Sequence, residues 1–176
     1  MNTLIPRSTL LVAAGLLVLS CTSVPEGGDQ TIGAPSAPTN LAYGKYSKSN
    51  NHIYEFTSDK AFDGEVLSYW EGGANAYPNL LSVDLGAPRD VGKLVLRLNP
   101  KRIWSARTQN IEVLTSADGE TFTTVVPAKD YDFDPIDSDN SVTIPLGGKA
   151  QHWQLKFTSN TEATAGQLAE LEIFGP

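Results

Sequence analysis

Alternation with a period of two constrains this chain more than any other feature. In LLSVDLG, Leu81, Val83 and Leu85 alternate with Ser82 and Asp84. In KLVLRL, Leu94, Leu96 and Leu98 alternate with Lys93, Val95 and Arg97. In HWQLKFTS, Trp153, Leu155 and Phe157 form one face and His152, Gln154 and Lys156 the other. Successive side chains of a strand point to opposite faces, so each run describes a strand with one face buried. NIEVLTS and TFTTVVP flank Ala117-Asp118-Gly119-Glu120, and an Asp-Gly pair between two such runs is a strong hairpin signal. SVTIPL and ELEIFG supply further strands. No segment sustains a helical period with caps. Many short strands punctuated by Gly and Pro predict an all-β, antiparallel β-sandwich.

The first twenty residues stand apart. Arg7 is their only charge, and LLVAAGLLVL (residues 10–19) has the length of a signal-peptide core, too short to span a membrane. It ends in Val18-Leu19-Ser20-Cys21, which resembles the bacterial lipoprotein signal. There, the Cys is diacylated and becomes the mature N-terminus. The alternative is an ordinary signal peptide with an incidental Cys. Cys21 is the only Cys, so it has no disulfide partner within the chain. The expected location is a bacterial cell envelope, with the lipid as membrane anchor. Thr22, rather than Asp, follows the Cys, which resembles the outer-membrane sorting class if the host is Gram-negative. Residues 21–39 are rich in Pro, Gly, Ser and Thr and read as a flexible tether. The folded part is expected over residues 40–176, long enough for one core.

The formal net charge is −7, one unit more negative without Arg7, and no basic cluster interrupts it. This disfavours nucleic acid and anionic lipid as partners; neutral ligands fit better. Catalytic motifs are also missing: there is no Gly-x-Ser-x-Gly elbow and no His-Glu-x-x-His, and His52 and His152 lack metal-ligand spacing. KDYDFDPIDSD (residues 129–139) crowds carboxylates together. Such a loop can serve a glycosidase, but solvated turn acids are far commoner. A monomeric, non-catalytic binding protein is expected.

Two loops carry the residue types that hold sugars. A pyranose packs its apolar face on an aromatic ring, and planar polar groups bridge its hydroxyls. PKRIWSARTQ (residues 100–109) places Trp104 and Arg107 before a strand. WEGGANAYP (residues 70–78) places Glu71, Asn75 and Tyr77 in another loop, and His52 lies in the polar stretch KSNNHIYEF. Each has a structural alternative. Trp104 can plug a loop, Arg107 can pair with Glu71, and Tyr77 can belong to rim or core. Trp70 and Trp153 read as core.

In KAFDGEVLSYWEGG (residues 60–73), Asp63, Gly64 and Ser68 offer the carboxylate, tight turn and hydroxyl that Ca²⁺ coordination uses. From the residues alone, a plain turn is the commoner reading.

Five segments in order, NLAYGK, KAFDG…SYWEG, LLSVDLG, NIEVLTSADGETFTTV and QLAELEIFG, resemble the discoidin, or coagulation factor 5/8 type C, domain. Among its members are bacterial family 32-type carbohydrate-binding modules. The resemblance implies a jelly-roll, galactose-binding-like β-sandwich with ligand loops at one end. It also implies a structural Ca²⁺ held by the Lys60 and Glu65 carbonyls, the Asp63 carboxylate, Ser68, the Ala169 carbonyl and the Glu170 carboxylate. The implied function is a lipoprotein that binds polysaccharide or another glycan. The alternative is an adhesion or assembly lipoprotein that binds a protein or envelope partner. One departure stands out: the loop before Ala165-Gly166-Gln167 often carries a Trp in the glucan-type modules, and here it reads Asn160-Thr161-Glu162-Ala163-Thr164.

Overall fold

The computed structural model describes residues 39–101 and 104–176; the leader, Cys21 and most of the tether lie outside them. The alternating segments become strands β1 (Tyr46–Ser49), β2 (Trp70–Glu71), β3 (Asn79–Arg97), β4 (Arg107–Ser116), β5 (Thr123–Phe133), β6 (Ser141–Asn160), β7 (Gln167–Leu168) and β8 (Glu170–Phe174). All pairings are antiparallel. A 3₁₀ turn, Ser58–Ala61, precedes β2.

Two long ribbons organise the sandwich. β3 and β6 pair along most of their lengths, with register shifts between Asp84 and Arg89 and between Val91 and Lys93. Their first shared stretch lies in a layer ordered β1-β3-β6-β4-β5. Beyond the shifts, Lys93–Arg97 of β3 pairs with β6 on one side and β8 on the other. Bulges bend and twist a strand, which lets one ribbon serve both layers. SVTIPL and HWQLKFTS, two strands by sequence, are therefore one.

Both layers feed one core. Leu81, Val83 and Leu85 of the first half of β3 are buried, as are Leu94 and Leu96 of the second half and Leu171 and Ile173 of β8. Trp153, Leu155 and Phe157 bury the predicted face of β6, and Trp70 packs on Phe157 with ring centroids 5.3 Å apart. Truncating a leucine in such a core to Ala costs about 2–5 kcal/mol. The acid-rich segment is half strand, not a loop. Tyr131 and Phe133 point inward, while Asp130 and Asp132 point outward and accept from Asn110 Nδ2 (2.7 Å) and Thr108 Oγ1 (2.6 Å) of β4. Period-two burial outweighs local charge there, because the acids never leave solvent.

Candidate functional site

Register decides which loops share an end. Ser49 faces Leu81, Asn79 faces Phe157, Gln109 faces Asn160 and Arg107 faces Phe133. The segments 50–58, 72–78, 134–140 and 161–166, with residues 99–101 and 104–106, consequently gather at one end of the β1-β3-β6-β4-β5 layer. Buried polar side chains fasten them. Asn79 donates to Asn51 Oδ1 (3.0 Å) and to the Gly73 and Ala76 carbonyls, and accepts from Gly166 N (2.8 Å). Gln109 exchanges two hydrogen bonds with the Gln167 backbone, at 3.0 and 2.9 Å. Asn75 N donates to the Thr164 carbonyl at 2.8 Å. A buried amide with all its partners met fixes loop geometry far better than apolar contact does.

Within this end the sequence-chosen residues take different places. Arg107 is the first residue of β4 and only 9% exposed, rather than a free loop residue. Its Nε donates to the Ser105 carbonyl (3.1 Å), and its Nη1 donates to Gln167 Oε1. Gln167 Nε2 in turn donates to Glu71 Oε2 at 3.0 Å. Trp104 is half-buried against the core. The Arg107 guanidinium lies 4.9 Å from its ring centroid, and Tyr69 meets it edge-on at 4.6 Å. Phe56 stacks on Tyr69 at 4.3 Å. Tyr77 also packs against the core, its hydroxyl buried and without a partner. Asn75 is an exposed loop residue with a positive φ of 56°. His52 is exposed and donates from Nδ1 to the Tyr54 carbonyl (3.1 Å), in its own loop rather than in the cluster.

Electrostatics converge on Glu71. Burial raises the Tyr69 and Tyr77 hydroxyls above the usual tyrosine range, and the Glu71 charge adds to both. Burial lowers Arg107, while Glu162 and Glu71 oppose the loss of its proton. Glu162, in the loop without the Trp, accepts from Ser105 Oγ at 3.1 Å. Glu55 sits in a turn whose tip, Tyr54, is 82% exposed; Ile53 N and the Phe56 carbonyl bond the Glu71 backbone at 3.2 Å each. The Trp104–Tyr69 cluster therefore sets aromatic rings beside Glu55, Glu71 and Glu162 and the largely buried Arg107 guanidinium. Sequence reasoning missed Tyr69, Phe56 and Gln167. The usable signal was the place of Tyr69 beside Trp70 and Glu71 and of Gln167 within the Ala-Gly-Gln motif; Phe56 carried none.

The Asp63-Gly64 turn meets β8 across the fold. Gly64, at φ +84°, adopts a conformation that favours glycine. Its N–H and that of Glu65 both donate to Glu170 Oε1, at 2.7 and 3.0 Å. Glu170 is 2% exposed, and its Oε2 is buried without a hydrogen-bond partner. Burial, together with the neighbouring Asp63 carboxyl, raises the Glu170 pKa to about 8. Asp63 Oδ2 accepts from Ser68 Oγ (2.8 Å) and lies 3.8 Å from Lys60 Nζ; Ser68 Oγ also reaches the Glu65 carbonyl (3.0 Å). Ala169 is fully buried beside Glu170. Among the described residues no three His, Cys, Asp or Glu side chains converge. A hard cation here would thus take backbone and hydroxyl oxygens beside Asp63 and Glu170. The orphaned Glu170 oxygen fits that role, because a buried carboxylate needs a cation or a proton.

No curated protein matches the chain in sequence. Solved structures match its fold. Chitosan-binding module 2 of a Paenibacillus sp. IK-5 chitosanase/glucanase, in complex with chitotriose, is 20% identical; the match covers 77% of this chain and 100% of that one, with a TM-score of 0.61. CpGH89CBM32-5 from Clostridium perfringens, in complex with GalNAc-β-1,3-galactose, is 20% identical, with 78% and 100% covered and a TM-score of 0.64. The CBM32 of AlyQ, in complex with 4,5-unsaturated mannuronic acid, is 18% identical, with 76% and 98% covered and a TM-score of 0.60. These likenesses establish the jelly-roll sandwich. The F5/8 type C domain model matches residues 45–171, most of the chain, and the protein belongs to the F5/8 type C domain family.

Proposed function

We propose that this chain is a non-catalytic, lipid-anchored glycan-binding module, with a sugar site at the loop end and a structural Ca²⁺ beside it. One observation carries the reading: Trp104 and Tyr69 adjoin the linked Arg107, Gln167 and Glu71, where a ring platform and planar hydrogen-bonding groups meet. That is the combination a saccharide uses. The solved neighbours, in complex with chitotriose, GalNAc-β-1,3-galactose and 4,5-unsaturated mannuronic acid, support the same class.

Charge refines the ligand. Sequence composition favoured a neutral sugar, but Glu55, Glu71 and Glu162 lie beside the aromatic cluster, and the cation in contact with it among the described residues, Arg107, is largely buried. Coulomb attraction then favours a chain bearing ammonium groups, such as the glucosamine polymer taken by the chitosan-binding neighbour. Titration with deacetylated and N-acetylated chito-oligosaccharides tests this. The deacetylated chain should bind more tightly, and its affinity should fall as salt rises. Equal binding of both would return the site to neutral sugars. A glycan array on which nothing binds would refute the glycan reading.

Ca²⁺ would be held by Asp63, Ser68 and Glu170, with carbonyls of Lys60, Glu65 and Ala169. It would cross-link two segments far apart in sequence. Cys21 would carry the lipid, and the tether would let the module sample the envelope surface, outer-membrane if the host is Gram-negative. Two or more acyl chains anchor stably where one does not. Replacing Cys21 with Ser should move the protein from the membrane fraction to the soluble one.

A further inference from the structure

The outer face of the β1-β3-β6-β4-β5 layer carries a second constructed cleft, at the end opposite the ligand loops. Tyr46, Asp84 and His152 occupy one row across three neighbouring strands: Tyr46 faces Asp84, and Asp84 faces His152. Their neighbours Val83 and Trp153 point into the core, so this row points outward. The next row holds Lys48, Ser82 and Gln154, with Gln154 Nε2 donating to Ser82 Oγ at 2.9 Å. The 117–122 hairpin folds back over the rows and forms a wall. Gly119, at φ +75°, lies against the His152 ring; a Cβ there would stand 3.2 Å from it. Asp118 locks that wall by accepting from Ser116 Oγ (2.7 Å), Glu120 N (2.8 Å) and Thr121 N (2.9 Å). The cleft encloses about 190 Å³, lined by Tyr46, Lys48, Asp84, Glu120, Phe122 and His152 among others.

Three features point to a ligand. Tyr46 is 73% exposed, a large ring with no core to cover it. The polar groups are already oriented: Asp84 Oδ1 accepts from Gly86 N (2.7 Å) and Gln151 Nε2 (2.9 Å) and lies 3.8 Å from His152 Nδ1. The floor is paired strand, which positions side chains more rigidly than loops do. We propose that this cleft is a second saccharide site, taking one neutral pyranose unit that packs on Tyr46 and hydrogen-bonds Asp84 and His152. Its volume is below the roughly 300 Å³ at which pockets for drug-sized ligands begin, which suits a single ring. Asp84, Asp118 and Glu120 line the cleft with Lys48 and His152; Asp118 is engaged by its own hairpin, and Lys48 and the His152 ring offer donors to sugar hydroxyls beside the Asp84 acceptor. Two sites at opposite ends would let one module bridge two glycan chains.

The proposal rests on the glycan-binding reading for its ligand class alone, and residue-resolved NMR of the full chain separates the two. Methyl β-galactoside, methyl β-glucoside and methyl β-mannoside are titrated at millimolar concentration. At least one should shift the Ser82, Gly119 and Phe122 amides and the His152 ring. Tyr46→Ala and His152→Ala should each weaken that titration about tenfold, or about 1.4 kcal/mol, and leave shifts at the Trp104 indole unchanged. Tyr46 is too exposed for its loss to unfold the sheet, so that variant holds whatever His152→Ala does to packing. If none of the three sugars moves the cleft signals, or if both variants titrate like the parent, the cleft is not a sugar site, whatever happens at the loop end.

Discussion

Arg107 and Glu71 are joined through a single amide, that of Gln167, which accepts from the guanidinium and donates to the carboxylate. The direct ion pair that the sequence left open between them is replaced by a relay that keeps the cation and anion apart. Each therefore retains lone pairs or protons for a ligand. Gln167→Met preserves volume and removes both hydrogen bonds. It should cost about 1–3 kcal/mol of stability, the penalty for leaving buried polar groups unmet, and should weaken glycan binding as well. Glu71→Gln keeps an acceptor for Gln167. It should leave the melting temperature nearly unchanged and weaken a cationic oligosaccharide selectively. Thermal unfolding and titration calorimetry on the two variants read these effects separately.

The calcium reading makes a sharper demand than loss of stability on chelation. Ligand that binds only the folded state stabilises it by about 2.7 kcal/mol at a hundredfold excess over Kd. Chelation should lower the melting temperature of a calcium-loaded chain accordingly. Glu170→Gln removes the ionisable carboxyl that a cation would need, while its Oε1 still accepts from Gly64 and Glu65. This variant should no longer respond to calcium or chelator. In chelator it should be at least as stable as the parent, because a buried amide is cheaper than an unpaired buried carboxyl. A parent chain that melts identically with and without chelator, after starting metal-loaded, would eliminate the site.

Asp118 gives the fold an acid-sensitive hairpin. Backbone N–H groups of Thr121 and Glu120, with the Ser116 hydroxyl, hold its pKa down to about 2. A depressed folded-state pKa stabilises above the unfolded value and loses that contribution as pH falls through the folded one. Asp118→Asn should therefore be less stable than the parent at neutral pH. The gap should close between about pH 4 and pH 2, where the parent's carboxyl takes up its proton. Paired thermal melts across that range measure it.

Much of the sandwich is legible in the sequence because burial of one strand face imposes a period of two. Leu81, Val83 and Leu85, and Trp153, Leu155 and Phe157, identify their strands without help. What is not legible is continuity. Gly86-Ala87-Pro88 and Gly147-Gly148 read as breaks, yet β3 and β6 run through them, because the two ribbons bend together at a bulge. Charge hid the end of β5, where Asp130 and Asp132 mask the inward Tyr131 and Phe133. The site was half visible for a related reason. Asn79 and Gln109 lie in phase with Leu81 and Ile111 and so point inward, and a polar residue at an inward position marks a fastening point. Arg107 shares that phase, which explains its burial. Tyr69 and Phe56 had no such mark, since only tertiary packing brings them to Trp104.

Trp104 now carries two roles that mutation can separate. The Arg107 guanidinium lies over its ring and Tyr69 abuts it, so the residue braces the loop as well as offering surface to a ligand. A cation over an indole contributes about 0.5–1 kcal/mol when exposed and about 2 when desolvated, and Arg107 is largely desolvated. Trp104→Leu and Arg107→Met should each destabilise the fold. The double variant should lose less than the two singles together, by about 1–2 kcal/mol, because the contact is lost only once. Tyr69→Phe keeps the edge contact and should leave this coupling intact. Strict additivity in thermal or denaturant unfolding would show that Arg107 and Trp104 act independently. The bracing role of Trp104 would then rest on Tyr69 and the core rather than on Arg107.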